Sequence, residues 1–166
     1  MVVNTGIKVP TNSIACGNNL KVSMIAQDAF IPGQVVMKGT ADNQVLLATV
    51  GSLTVVGVAD LNRNARARTN VTLMTAYAAG DQLEVITWGF VRVIADTGGI
   101  TAGSMVSMGG NTSGSVRVCP YTAPPAADTY NTVAMAASLL CRDQILGRAF
   151  TTATATNYAV MFWGKL

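Results

Sequence analysis

The chain has 166 residues, of which 50% are hydrophobic and only 11% charged, with 11 basic and 8 acidic side chains and a net charge of +3. An ordinary soluble domain carries about 25% charge, so this chain either enters a membrane or buries much of its surface against other protein. A spanning helix needs about 20 consecutive apolar residues, and the nearest stretch, 45–59, is interrupted by Thr49, Gly51, Ser52, Thr54 and Gly57.

Two further membrane routes are disfavoured. Aromatic residues make up 6% of the chain, too few for the girdles of a membrane β-barrel. The opening MVVNTGIKVPTNSIACG lacks the basic end and apolar run of a signal peptide, so export is not expected. A charge of +3 is too mild to imply nucleic-acid binding on its own. The composition points to a soluble subunit of an assembly.

Residues 1–29 are rich in Asn, Thr and Ser, without a sustained apolar period. They read as an extended arm with one short strand over 20–25, the alternative being an edge strand of the main domain. From residue 31 the punctuation becomes regular. Pro32-Gly33 marks a turn before QVVMK, Ala41-Asp42-Asn43 a turn before VLLATV, and Gly51-Ser52 a turn before LTVVGVAD. Gly57 inside the last of these suggests a bulge or a close backbone approach. NVTLMTAY reads as another strand, and Ala79-Gly80-Asp81 leads into a long strand divided at Gly89. Short strands at roughly ten-residue spacing predict a sandwich or barrel.

Strict alternation along LEVITWGFVRVI places Leu83, Val85, Thr87, Val91 and Val93 on one face. Glu84, Ile86, Trp88, Phe90, Arg92 and Ile94 occupy the other. Both faces are largely apolar, so both are expected to be covered. Trp88 and Phe90 are candidates for a subunit contact, because aromatic residues are enriched there, together with Ile86 on the same face; plain core is the rival reading.

An internal echo is present. PGQVVM, VLLAT and VVGVA match in kind AGSMVSM, SVRVC and ILGRA, which suggests two related halves of one β-domain. The second copy carries an insert at 120–144, a Pro-rich loop followed by a possible short helix over 133–141 capped by Asn131 or Thr132. The chain closes on the strand NYAVMFW.

Residues suited to catalysis are sparse. The chain has no His, the commonest general base and metal ligand. The acidic residues fall mostly at turns, where their side chains bond nearby backbone. GGNTSG lacks the Lys-Ser/Thr of a phosphate loop and reads as a hairpin tip. Cys16, Cys119 and Cys141 are odd in number and far apart, which gives neither a disulfide framework nor zinc spacing. Neither an enzyme nor a cofactor is expected. RNARAR gathers Arg63, Arg66 and Arg68, either as an electrostatic contact for an acidic partner surface or nucleic acid or as a solvated loop between two strands.

The order PGQVV, VVGVA, AAGDQLEVITWGFVRVIADTGGITAGSMV and ILGRAFT resembles the small capsid-decoration (cement) proteins of tailed phages and related viruses, over residues 31–119 and 145–163. The resemblance implies an all-β fold: a compact barrel-like domain over 30–166, with at most one short helix and the arm 1–29 reaching into the shell. It further implies a homotrimer on the outer face of a virion, made in the host cytoplasm, that clamps neighbouring major capsid proteins. On that basis Lys8, Lys21, Arg63, Arg66 and Arg68 are the capsid-contact candidates. No membrane, small-molecule substrate or nucleic acid is expected as a partner. A receptor-binding, tail or major structural subunit of a virion is the alternative.

Overall fold

The computed structural model describes residues 14–52, 54–61, 75–119 and 145–164. They are all-β: β1 Leu20–Ala26, β2 Val35–Lys38, β3 Gln44–Leu47, β4 Val55–Ala59, β5 Gln82–Ile94, β6 Met105–Met108, β7 Val116–Val118, β8 Gly147–Ala149 and β9 Tyr158–Trp163. Among the described residues no helix is long and apolar enough to cross a membrane. The short helix expected at 133–141 lies outside them, as does most of the strand expected at 70–77, of which Tyr77 forms a bridge to Phe30.

Strands β1-β3-β2-β4-β5 form a ring, closed because β1 also pairs with β5. The sheet continues from β5 through β9, β8 and β6 to β7. This second set is brought round by a parallel bridge from Ala95, just after β5, to Val116 of β7. The molecule is therefore two similar barrels that share the long strand β5.

The repeat is visible bond by bond. Ala26 N donates to Asp81 O at 2.8 Å, and Ala95 N to Asn157 O at 2.9 Å. Gly33 N reaches Ala59 O at 2.9 Å, and Gly103 N reaches Ala149 O at 2.8 Å. Gly39 N and Gly109 N close their hairpins on Gln44 O and Ser115 O, both at 2.8 Å. Gly33 and Gly103 both have φ of +84°, a left-handed conformation that a Cβ disfavours, so each Pro-Gly or Ala-Gly turn needs its glycine.

The expected single alternation along β5 does not hold. Leu83 and Val85 face a smaller core with Phe30, Val36, Val45 and Tyr77. Val91 and Val93 face a larger core with Val106, Val116, Ala159 and Met161. The reason is one extra residue: Leu20 pairs with Trp88 but Lys21 pairs with Ile86, which leaves Thr87 as a bulge. An added residue reverses which face each side chain takes. Gly89, at φ +119°, follows the bulge, and a Cβ there would lie 1.9 Å from Asn19 Oδ1.

The two halves meet where the turn at 31–35 wedges into the second barrel. Ile94 N donates to Gly33 O at 3.3 Å, and Val35 N donates to Gly114 O at 2.8 Å. Tyr158 Oη donates to Pro32 O at 2.8 Å. Val35, Val58 and Ile86 lie beneath, all fully buried in the larger core. Each such side chain contributes roughly 2 kcal/mol by leaving water, so this seam is a main source of cohesion between the halves.

Residues 14–26 run along β5. Ala15 bridges Val91, Arg92 N donates to Ile14 O at 2.9 Å, and Cys16 N donates to Phe90 O at 2.8 Å. β1 continues that pairing down to Ile25 opposite Gln82.

Candidate interaction surface

The bulge at Thr87 turns Trp88 and Phe90 to the outer face of the second barrel. Phe90 stands directly opposite Phe162 of β9. Trp88 and Phe162 meet edge to face with centroids 5.2 Å apart, as do Phe90 and Phe162 at 5.2 Å. Phe150, just past β8, packs on Phe90 at 5.0 Å. These are favoured ring geometries, so the four rings form a pre-ordered strip. It is not hidden: Trp88 is 51% and Phe150 47% exposed.

The strip continues across the sheet. Met105 lies opposite Arg148, Arg148 opposite Phe162, and Phe162 opposite Phe90. Opposed residues of paired strands share a face, so Met105, Arg148, Phe162 and Phe90 form one row across four strands. Met105 is 47% exposed and Arg148 is exposed. An aromatic and methionine strip carrying a single arginine has the composition of a protein contact rather than of a catalytic centre. Among the described residues, no group of three or more His, Cys, Asp or Glu side chains could hold a metal ion.

Of the sequence candidates, Trp88 and Phe90 stand in this strip. Ile86 does not: it is fully buried in the seam between the halves, because it precedes the bulge and faces the opposite way. Lys21 is held inside the chain, its Nζ donating to Asp60 Oδ2 at 2.6 Å and to Glu84 Oε2 at 3.1 Å. Lys8, Arg63, Arg66 and Arg68 lie outside the described residues. Phe150, Phe162 and Met105 belong to the surface and are not singled out by the sequence, since only the β5–β9–β8–β6 register brings them beside Phe90.

Other polar groups here serve structure. Burial pushes the Cys16 thiol up from its ordinary range, partly offset by the Arg92 guanidinium that bonds it. Burial likewise raises Tyr158, again opposed by Arg92. For Asp96, burial would raise the pKa, but bonds from the amides of Thr97, Asn111 and Gly110 and from Thr112 outweigh it and the net shift is downward. Its Oδ2 accepts from Gly110 N at 2.8 Å and Asn111 N at 3.0 Å, which ties down the β6–β7 hairpin tip.

A family model described as structural cement protein (E217 gp24/Pam3 gp6) matches residues 8–161. No curated protein matches the sequence. Among solved structures, the chain is similar to the N base of the head fibre gp8.5 of bacteriophage phi29, at 12% identity over 88% of this chain and 94% of that one, with a TM-score of 0.50. It is also similar to a chain of the capsid of Myoviridae phage XM1, at 15% identity over 99% of this chain and 95% of that one, with a TM-score of 0.54. At these identities the two structures establish a shared fold.

Proposed function

This chain belongs to the phage structural cement protein family, a capsid-binding structural protein of the virion, and we propose that it clamps neighbouring major capsid proteins from the outer surface of the shell as a homotrimer. The observation that carries the reading is the exposed strip Trp88, Phe162, Phe90 and Phe150 on a chain with so little charge. Contiguous apolar surface of this kind marks a protein contact. A protein that binds the assembled shell but not its free subunits stabilises the shell by mass action.

In this reading Trp88 and Phe90 serve contacts between copies. Lys8 and the Arg63, Arg66 and Arg68 cluster meet the shell. Lys21 is assigned instead to holding Asp60 and Glu84. The arm at 1–29 is tethered over 14–26 along β5, so its reach into the shell begins before Ile14. Synthesis in the host cytoplasm precedes docking. The structural family is consistent with a role that involves no catalysis.

The test adds purified protein to shells that lack it and follows the temperature at which they release DNA. Wild-type chain should bind and raise that temperature, and Trp88→Ala/Phe162→Ala should bind weakly and raise it little. Shells that neither bind the wild-type chain nor gain stability would overturn the reading.

A further inference from the structure

The repeat places a filled joint and an empty one in the same chain. In the filled joint, the first half's turn at 31–35 sits on the second half against Arg92, Ile94, Gly114 and Tyr158. Gly33 packs on Tyr158 and the Arg92 carbonyl, while Gly114 receives the Val35 amide. The hydrogen-bond correspondences map these four receiving residues onto Ser23, Ile25, Asn43 and Gln82 of the first half. Those residues, with Met24 and Gly80, line an open cleft of about 430 Å³.

The inserting side shows the reverse. Pro32, Gly33 and Val35 are buried, whereas their counterparts Ala102, Gly103 and Met105 are exposed, and a Cβ on Gly103 would meet nothing within 4 Å. The row behind the turn follows suit. Val35, Val58, Ile86 and Lys21 stand opposite one another across β2, β4, β5 and β1, as Met105, Arg148, Phe162 and Phe90 do across β6, β8, β9 and β5. Three of the first four are wholly buried in the seam, while Met105 and Arg148 of the second four are exposed and Phe162 is half-buried.

We propose that copies of this chain join head to tail, the turn at 101–105 of one copy seating in the Ser23, Ile25, Asn43 and Gln82 cleft of the next, as the turn at 31–35 seats within the chain. The proposal rests on the self-association in the proposed function and specifies which surfaces make it. At present Ile25 N donates to Asn43 O at 2.8 Å. Seating the turn exchanges that bond for two, Ile25 N to Gly103 O and Met105 N to Asn43 O, the counterparts of the pair at Ile94 and Gly114. A contact between two different surfaces closes into a ring or runs on as a filament. In a trimer it gives a ring of barrels in which every seam, within and between chains, is built alike.

The test is directional cross-linking in a Cys141→Ser background, with native Cys16 and Cys119 buried. Asn43→Cys and Met105→Cys chains are oxidised separately and as an equal mixture, free and on shells, with folding checked by circular dichroism. A disulfide needs Cα atoms within about 7 Å, which residues bonded as Val35 and Gly114 are satisfy. The expected result is a linked dimer in the mixture alone. Linkage of Met105→Cys to itself would mean a two-fold contact and overturn the proposal. Shell-bound chains that never link would overturn it too, while leaving the clamp reading intact. Linkage in chains that do not bind shells would uphold the joint and sink the clamp. As a second check, Met105→Asp should reduce the light-scattering mass to that of the monomer; an unchanged oligomer would count against the joint.

Discussion

The two barrels follow the same backbone plan and present opposite chemistry at matching places. Where the first half has the ion triad Lys21, Asp60 and Glu84, the second has Phe90, Phe150 and Val160 in the corresponding positions, tied by the same backbone bonds. Asp60 N donates to Glu84 O at 2.9 Å, and Phe150 N donates to Val160 O at 2.8 Å. The same turn glycines and backbone bonds recur in both barrels. The side chains on the outer rows then decide whether a face closes on its own chain or stays open to another.

The comparison breaks most visibly at the glycines where adjacent strands nearly touch. A Cβ on Gly147 would lie 1.8 Å from Phe162 O, and one on Gly57 would lie 2.3 Å from Ile86 O. Both obstacles are backbone, so neither can swing aside. Gly57→Ala and Gly147→Ala should each lower stability by about 3 kcal/mol or more in urea unfolding. A loss at one site only would mean that the halves do not share this geometry.

Lys21→Met should come next. Asp60 is 2% exposed and would lose the ammonium now 2.6 Å away, at a cost of about 2 kcal/mol for one charge-assisted hydrogen bond. At the matching position Phe90→Leu should cost under about 1.5 kcal/mol, being a hydrophobic swap on an open face. Denaturant midpoints of the two variants would separate a charged joint from an apolar one.

Tyr158→Phe removes the bond to Pro32 O at the filled seam and should cost about 1 kcal/mol, read as a lower melting temperature. The smallest effect expected is at Asp96. Its folded pKa lies below the ordinary carboxylate value, so its contribution is present at neutral pH and is lost as pH falls through and below about 4. Asp96→Asn should flatten that part of the acid limb while changing neutral-pH stability by under about 1 kcal/mol. The counterpart, Gln27, whose Oε1 accepts from Thr40 N at 2.9 Å, does the same work without a titratable group, so Gln27→Ala should leave the acid limb unchanged.

Much of this was legible in the residues. Pro32-Gly33 and Ala102-Gly103 announced equivalent turns because the left-handed backbone there needs glycine. The run of short apolar strands set an all-β fold, and the paired turn-and-strand units announced the repeat. Trp88 and Phe90 were legible as contact candidates from their type alone, and the structure places both in the strip on the outer face of the second barrel. Ile86 was misplaced by the same reasoning, because period-2 alternation assumes an unbroken strand and the Thr87 bulge is invisible in composition. Phe150, Phe162 and Met105 carried no signal at all, being ordinary apolar residues in three separate segments.

By itself, then, the sequence determined which segments become strands, where the chain turns, and that its low charge favours contact with other protein. These follow from local backbone preference and from the balance of apolar and charged side chains. Only the tertiary structure decided that β5 serves two barrels and passes from one core to the other in a single residue. It alone placed four rings from three segments in one strip, and left one turn and one cleft of the repeat open. Those outcomes depend on register between segments distant in sequence, and strand register is a property of the folded sheet.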